Sequence, residues 1–146
     1  MLAYAVNGSQ NAGTNQGVVG VIGSATVQPE LYYLQIGSSA TPASTAINYK
    51  VRRSTTTGTS TAVTPEPVDS ATAARSTAGS NWTVIATYAG VPYLDISLNQ
   101  QFVYQWYAHP GREIKCRLAA SNGIILDLAG ESSGTALVEA TMQFQE

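Results

Sequence analysis

The alternation of apolar and polar residues along the chain predicts an all-β protein. Short segments rich in Val, Ile, Leu and aromatic residues are separated by Gly, Pro, Asn or Ser at nearly every joint. Strands of about 5–8 residues that recur every 8–12 residues or so are typical of an antiparallel sandwich or barrel. The predicted strands span residues 18–23, 31–36, 47–52, 82–88, 93–98, 102–108, 113–118, 124–128 and 137–144.

The same alternation predicts which side chains form the core. Alternate residues of a strand point to opposite faces, so the apolar residues of the 47–52 segment share the inward face and its polar residues face water. Applied to the other segments, this rule predicts a core made of Ile47, Tyr49, Val51, Trp82, Val84, Leu94, Ile96, Phe102, Tyr104, Trp106, Leu126 and Leu128.

The middle of the chain departs from the strand pattern. Residues 54–61 are dominated by Thr, which favours an exposed strand or hairpin tip. Pro65 and Pro67 then end the ladder, because proline cannot donate a backbone hydrogen bond. Asp69 as an N-cap and Gly79 just past the end predict one short helix of about two turns between them.

Residues 1–16 contrast with the rest of the chain. A short extended segment, residues 2–6, precedes ten residues that contain three Asn, two Gly and two Gln. Such a composition is poor in core-forming side chains and predicts a flexible arm. The predicted organisation is therefore a flexible N-terminal arm over 1–16 and a single β-sandwich domain over 17–146.

Composition narrows the possible partners. Charged residues make up 11% of the chain, whereas about 25% is usual, and the formal net charge is −2. Seven Lys and Arg residues are too few to track a nucleic-acid backbone, so no nucleic-acid partner is expected. No stretch has the length and hydropathy of a membrane span, and the first residues do not resemble a signal peptide. These features favour synthesis and assembly in a cytoplasm, without a membrane partner.

Few residues of the chain are candidates for catalysis or metal binding. The chain has one His and one Cys, so we expect no metal site, no cofactor and no catalytic residues. His109 lies in a Pro-Gly turn and is expected to be exposed, while Cys116 is expected to be a buried small hydrophobe. Asp95, Glu113 and Asp127 could form a carboxylate pair for hydrolysis, but sequence alone does not give their separation.

Several segments resemble small head-decoration, or cement, proteins of tailed bacteriophages. The resemblance covers about residues 18–146, and its turn and strand-edge motifs lie at residues 31–43, 61–69, 98–100, 109–113, 119–124 and 140–146. It implies a jelly-roll-like β-sandwich, usually trimeric, bound to the outside of an icosahedral shell. The expected fold is thus an all-β antiparallel jelly roll with one short helix and an extended N-terminal arm. An up-and-down barrel is the alternative.

The resemblance and the low charge together predict a structural role without chemistry. We expect a decoration protein, a homotrimer on the capsid exterior of the virion, that is assembled in the host cytoplasm and clamps neighbouring major capsid protein subunits. The alternative is a receptor- or carbohydrate-binding knob of a head or tail fibre, although the chain has no shaft repeat. The arm is expected to add a strand to a capsid subunit or neighbouring protomer, and the alternative is a frayed terminus. The expected contact residues are Leu2, Tyr4, Val6, Tyr32, Tyr88 and Tyr93.

Overall fold

The computed structural model describes residues 1–13, 16–128 and 136–146, which form twelve strands. The described residues include no helix, and so none that could cross a membrane. The strands are β1 Ala3–Asn11, β2 Gly17–Ile22, β3 Glu30–Ser39, β4 Ala46–Ser54, β5 Thr59–Val63, β6 Glu66–Pro67, β7 Thr77–Val84, β8 Leu94–Asn99, β9 Tyr104–Tyr107, β10 Ile114–Lys115, β11 Gly123–Leu128 and β12 Leu137–Gln145.

The strands form two antiparallel sheets that confirm the predicted sandwich. Sheet A has the order β10-β3-β12-β1-β6, with β9 also pairing to β3. Sheet B has the order β5-β7-β2-β11-β4-β8. Pairing is nested along the chain, because β1 pairs with β12, β2 with β11, β3 with β9 and β10, and β4 with β8. The first half of the chain thus pairs antiparallel with the second half, and successive strand pairs lie alternately in the two sheets. This is the jelly-roll topology.

The main core lies between the two sheets. Tyr4 and Phe144 are cross-strand partners on β1 and β12, and their rings stack with centroids 5.5 Å apart. Each fully buried side chain of this size stabilises the fold by about 1.5–3 kcal/mol. The other fully buried large side chains of this core are Leu31, Leu34, Ile36, Ile47, Tyr49, Ile124, Leu126 and Leu128.

A second, smaller cluster packs on the outer face of sheet B. Trp82 is 1% exposed and packs with Ile22, Ala86 and Ile125, and its indole Nε1 donates a 2.8 Å hydrogen bond to the Thr57 carbonyl oxygen. The ring lies directly against the strand at Gly20, where an added Cβ would be 3.0 Å from it. The Trp82 side chain and the following segment, which carries Ala86 and Tyr88, therefore cover part of this face.

The N-terminal segment is a strand rather than a flexible arm, so the prediction for residues 1–16 is wrong where the structure describes them. Strand β1 pairs with β12 over nine residues, and β6 pairs with its other edge. Tyr4 and Val6 are each 1% exposed, while Asn7 on the opposite face is exposed. The exposed polar residues Asn7 and Asn11 are on the outward face of this amphipathic strand, whereas Gln10 is buried and donates to the Gly17 and Trp82 carbonyl oxygens. Residues 14 and 15 lie outside the described residues.

The predicted helix after Asp69 is also wrong. The Asp69 carboxylate accepts a hydrogen bond from the Ala3 amide at 3.4 Å, and the Ser76 amide donates to the Glu146 carboxylate at 3.0 Å. These long-range bonds hold the segment against β1 and the end of the chain. Gly79, expected just beyond the helix, instead lies inside β7, which pairs with β2 and β5.

Most of the predicted core is confirmed. Ile47, Tyr49, Val51, Trp82, Leu126 and Leu128 are buried, and Leu94, Ile96, Tyr104 and Trp106 are partly buried against the main core. Val84 and Phe102 are exceptions, at 56% and 64% exposed. Phe102 precedes β9 in a turn where its amide bonds to the Asn99 carbonyl oxygen, so it lies outside the paired strand.

Candidate functional site

The six residues expected to contact a partner do not form one surface. Tyr4 and Val6 face the main core and are not accessible, and Leu2 and Tyr32 are half-buried. Tyr88 is half-buried with a buried hydroxyl, and Tyr93 is 41% exposed. The expectation of contacts through Tyr4 and Val6 is therefore wrong, because β1 places both side chains inside the sandwich.

The histidine and cysteine lie where the sequence predicts. His109 is exposed, and its carbonyl oxygen closes a turn with the Arg112 amide at 2.8 Å. Cys116 is fully buried, and burial raises the pKa of its thiol. No group of three or more His, Cys, Asp or Glu suited to a metal ion occurs within the described ranges. A neutral, enclosed thiol is poorly suited to nucleophilic chemistry.

The three carboxylates considered for hydrolysis are all engaged. Asp95 forms an ion pair with Lys50 at 3.6 Å, and the Glu113 carboxylate accepts a hydrogen bond from the Gly111 amide at 3.0 Å. Hydrogen bonds from its own backbone amide and from that of Gly111 lower the pKa of Glu113. Asp127 is buried and paired with a cation. Each carboxylate therefore has a local structural partner.

Asp127 is part of a buried polar cluster on sheet B. Its Oδ2 lies 3.4 Å from Nε of Arg52, whose guanidinium lies 5.0 Å from the Tyr88 ring centroid. Burial raises the pKa of Asp127 to about 6, although the charge of Arg52 opposes that shift. Asp127 Oδ1 and the Tyr88 hydroxyl form no hydrogen bond of good geometry with any described residue, but the hydroxyl is close enough to Asp127 to lower the pKa of that carboxyl. Tyr88 also forms an isolated antiparallel β-bridge with Ser54, so the cluster connects the 85–89 segment to β4.

Large apolar side chains are exposed at the start and along one face of β9. We call Phe102, Val103 and Tyr107 the β9 ridge, and each is 64% exposed. Tyr107 packs on Tyr33 of β3, with ring centroids 4.8 Å apart. Three exposed large apolar residues within six positions form the kind of surface that proteins use for association.

A polar groove lies beside the β9 ridge on the outer face of sheet A and extends past β1 to Ser80 of sheet B. Its volume is about 600 Å³, and Val103 lines one side of it. Asn7 and Thr141, whose side chains are joined by a 2.7 Å hydrogen bond, lie on its floor together with Gln35 and Glu139. No Lys or Arg lines it, as far as the structure describes the chain. The groove and the ridge are the two candidate binding features of sheet A.

A scan against protein-family models, a search of curated proteins and a search of solved structures each find no match. The assignment of a function therefore rests on the fold, on these two features and on the resemblance of the sequence motifs.

Sequence reasoning missed most of this surface. Strand alternation puts Val103 and Tyr107 on the face opposite Tyr104 and Trp106, and both are exposed, but the same alternation wrongly puts Phe102 in the core. Glu139 received no role, although a lone acidic residue between apolar positions of the 137–144 strand marks an outward face. Its neighbours across the sheet depend on the register of β12 with β1 and β3, which the sequence pattern does not give.

Proposed function

We propose that this chain is a bacteriophage capsid decoration protein that binds the outer surface of the shell and clamps neighbouring subunits of the major capsid protein. In this proposal it acts as a homotrimer on the virion exterior, assembled in the host cytoplasm, and it is not an enzyme. The observation that carries the proposal is the β9 ridge, an exposed apolar surface on a jelly roll in which Asp95, Glu113 and Asp127 are engaged and the thiol is buried.

The chemistry of the ridge suits attachment to protein. Aromatic residues are enriched and charged residues depleted at the centre of protein interfaces, and the ridge consists of Phe, Val and Tyr. Few charged groups would need to be desolvated on docking. A trimer would present three such ridges, and linked weak contacts can raise overall affinity by about 10²–10⁴ over one contact.

Removing the ridge tests this function. The double substitution Phe102→Ser and Tyr107→Ser should reduce co-sedimentation with undecorated capsids by about tenfold or more, because the two largest apolar contacts are lost. The capsids are those assembled from the major capsid protein encoded nearest to this chain. Both residues are 64% exposed, so the thermal midpoint of the variant should change little.

The matched control is Val91→Ser. Val91 is 86% exposed and lies two residues before Tyr93, whose amide donates to the Val51 carbonyl oxygen of sheet B. The substitution therefore removes an apolar side chain from a different surface. It should leave capsid binding unchanged. Absence of wild-type binding to the capsids, or equal binding by the ridge variant, contradicts the proposal.

The second candidate function is the receptor- or carbohydrate-binding knob of a head or tail fibre, and the groove on sheet A favours it. Copy number separates the two assignments. A decoration protein is present on purified particles in numbers comparable with the capsid protein, whereas a fibre knob is present in only a few copies.

A further inference from the structure

Small residues flank Glu139 in the groove on sheet A. Glu139 of β12 lies between Ser9 of β1 and Gly37 of β3, its cross-strand partners. A Cβ added at Gly37 would meet only Val103 Cγ2, at 3.7 Å, so there is open space above this position. With small neighbours on both sides, the Glu139 carboxylate stands in a depression of the sheet surface.

The polar groups of the groove include several with unused hydrogen-bonding capacity. Glu139 forms no hydrogen bond or ion pair with any other described residue. Asn7 Oδ1 accepts from the Thr141 hydroxyl at 2.7 Å, and Gln35 Oε1 accepts from the Tyr33 hydroxyl at 2.6 Å. Because both amide oxygens are engaged, the NH₂ groups remain as donors. The groove thus offers one carboxylate acceptor and two amide donors close together.

An aromatic surface borders these polar groups. Tyr33 carries the hydroxyl that bonds to Gln35, and Tyr107 packs against the Tyr33 ring with an angle of 42° between the ring planes. Gln105 Nε2 also donates to the Tyr33 hydroxyl at 3.3 Å, which fixes the arrangement. Tyr33 is 9% exposed beneath its partner, whereas Tyr107 presents its ring to solvent at 64% exposure.

These features select a class of ligand. The lack of Lys and Arg in the lining argues against phosphate, sulfate or nucleic acid, and the unpaired Glu139 would repel an acidic sugar. Polar floor residues argue against a purely apolar ligand. A neutral saccharide has vicinal hydroxyls that donate to a carboxylate and accept from amides, and an apolar C–H face that packs on an aromatic ring.

We propose that the groove on sheet A binds a neutral oligosaccharide, with Glu139, Asn7 and Gln35 bonding its hydroxyls and Tyr107 packing on a sugar ring. This inference deepens the second candidate function and rests on it, and the site shares Tyr107 with the β9 ridge.

Isothermal titration of the full chain with soluble hexasaccharides tests this proposal. The neutral probes are maltohexaose, cellohexaose, xylohexaose and chitohexaose, and the acidic probe is hexagalacturonate. At least one neutral probe should bind, with a dissociation constant of about 1 mM or lower, and the acidic probe should not. Glu139→Gln removes the acceptor charge and Gly37→Leu fills the open floor, so each should weaken binding by about tenfold or more.

Two controls match these variants. Glu66→Gln removes an exposed carboxylate from the edge strand β6, and Thr61→Leu adds the same side chain to the exposed strand β5. Both should bind the probe as the wild type does. Thermal midpoints show that all four variants are folded.

Three results overturn the saccharide site: no heat of binding with any neutral probe, preference for hexagalacturonate, or unchanged affinity in both groove variants. Capsid binding of the ridge variant is measured separately, so failure of the saccharide site and failure of capsid attachment are distinguishable.

Discussion

At the scale of single residues, burial and charge have opposite effects on the pKa of Asp127 in the buried cluster that it forms with Arg52 and Tyr88. Removing a carboxylate from water disfavours its charged form, and Arg52 at 3.4 Å compensates for only part of this cost because the pKa of Asp127 remains raised. Lys50, the cross-strand partner of Asp127, lowers that pKa to a smaller extent. The ion pair by itself is therefore weak evidence for stability. The free-energy cost of burying charged Asp127 should appear in the pH dependence of unfolding.

Asp127→Asn should remove a pH-dependent loss of stability. The pKa of Asp127 is raised from 3.8 to about 6, so between these values the folded state binds more protons than the unfolded state. The stability contributed by this group is present below about pH 4 and is lost as the pH rises to about 6. Relative to wild type, the variant should gain about 3 kcal/mol across this window, measured by urea unfolding at several pH values.

The control for this experiment is Ser97→Ala in β8, the strand of sheet B beyond β4, which removes no titratable group. Its unfolding free energy should run parallel to that of the wild type over the same pH range. A difference curve between wild type and Asp127→Asn that is flat from pH 4 to 6 would show that burial does not raise this pKa.

At the scale of elements, β1 shows how composition can conceal a strand. Its inward residues Tyr4 and Val6 alternate with small or polar outward residues, and the strand is held on both edges by β12 and β6. The Asn and Gly content indicates disorder when it is averaged over residues 7–16. At period two, Asn7, Ser9 and Asn11 are on the outward face of β1, whereas Gly8 and Gln10 are on its inward face.

Substitutions on the two faces of β1 should differ sharply. Tyr4→Ala removes a fully buried ring stacked on Phe144 and should cost about 3–5 kcal/mol of unfolding free energy. Asn7→Ala removes only an exposed hydrogen bond to Thr141 and should cost less than about 1 kcal/mol. Chemical denaturation measures both. Equal, small losses would mean that residues 1–13 do not pack as a strand of sheet A.

At the scale of the whole molecule, the two outer faces of the sandwich are used differently. The outer face of sheet B is partly covered, since Trp82 packs there and the 85–89 segment runs beside residues 53–57. The outer face of sheet A carries the groove and the β9 ridge. Sheet A is therefore the face we assign to partners and ligands.

The proposed homotrimer is testable by mass. Sedimentation equilibrium or light scattering at high protein concentration should give a particle of three times the 15.3 kDa chain mass. A trimer that forms only on the capsid should be seen there as groups of three copies. The reason is the small number of charged groups that an interface would have to desolvate. A protein that is monomeric at all concentrations and is also bound as single copies on the particle would refute the trimer.

The sequence by itself determined the class of the fold and much of its core. Period-two alternation placed Ile47, Tyr49 and Val51 correctly, because it depends only on the local geometry of a strand. The sequence also indicated the exposure of His109 and the burial of Cys116.

Only the tertiary structure decided where alternation is interrupted and which strands are neighbours. Ala78 packs in the main core, but Trp82, an even number of residues later, packs on the outer face of sheet B. Between them Asn81 has a φ of 52°, a left-handed conformation that reverses the alternation and leaves Val84 exposed. In the same way, Glu139 meets Ser9 and Gly37 because β12 lies between β1 and β3. Strand order of this kind is set by contacts between residues far apart in the chain, which no local pattern encodes.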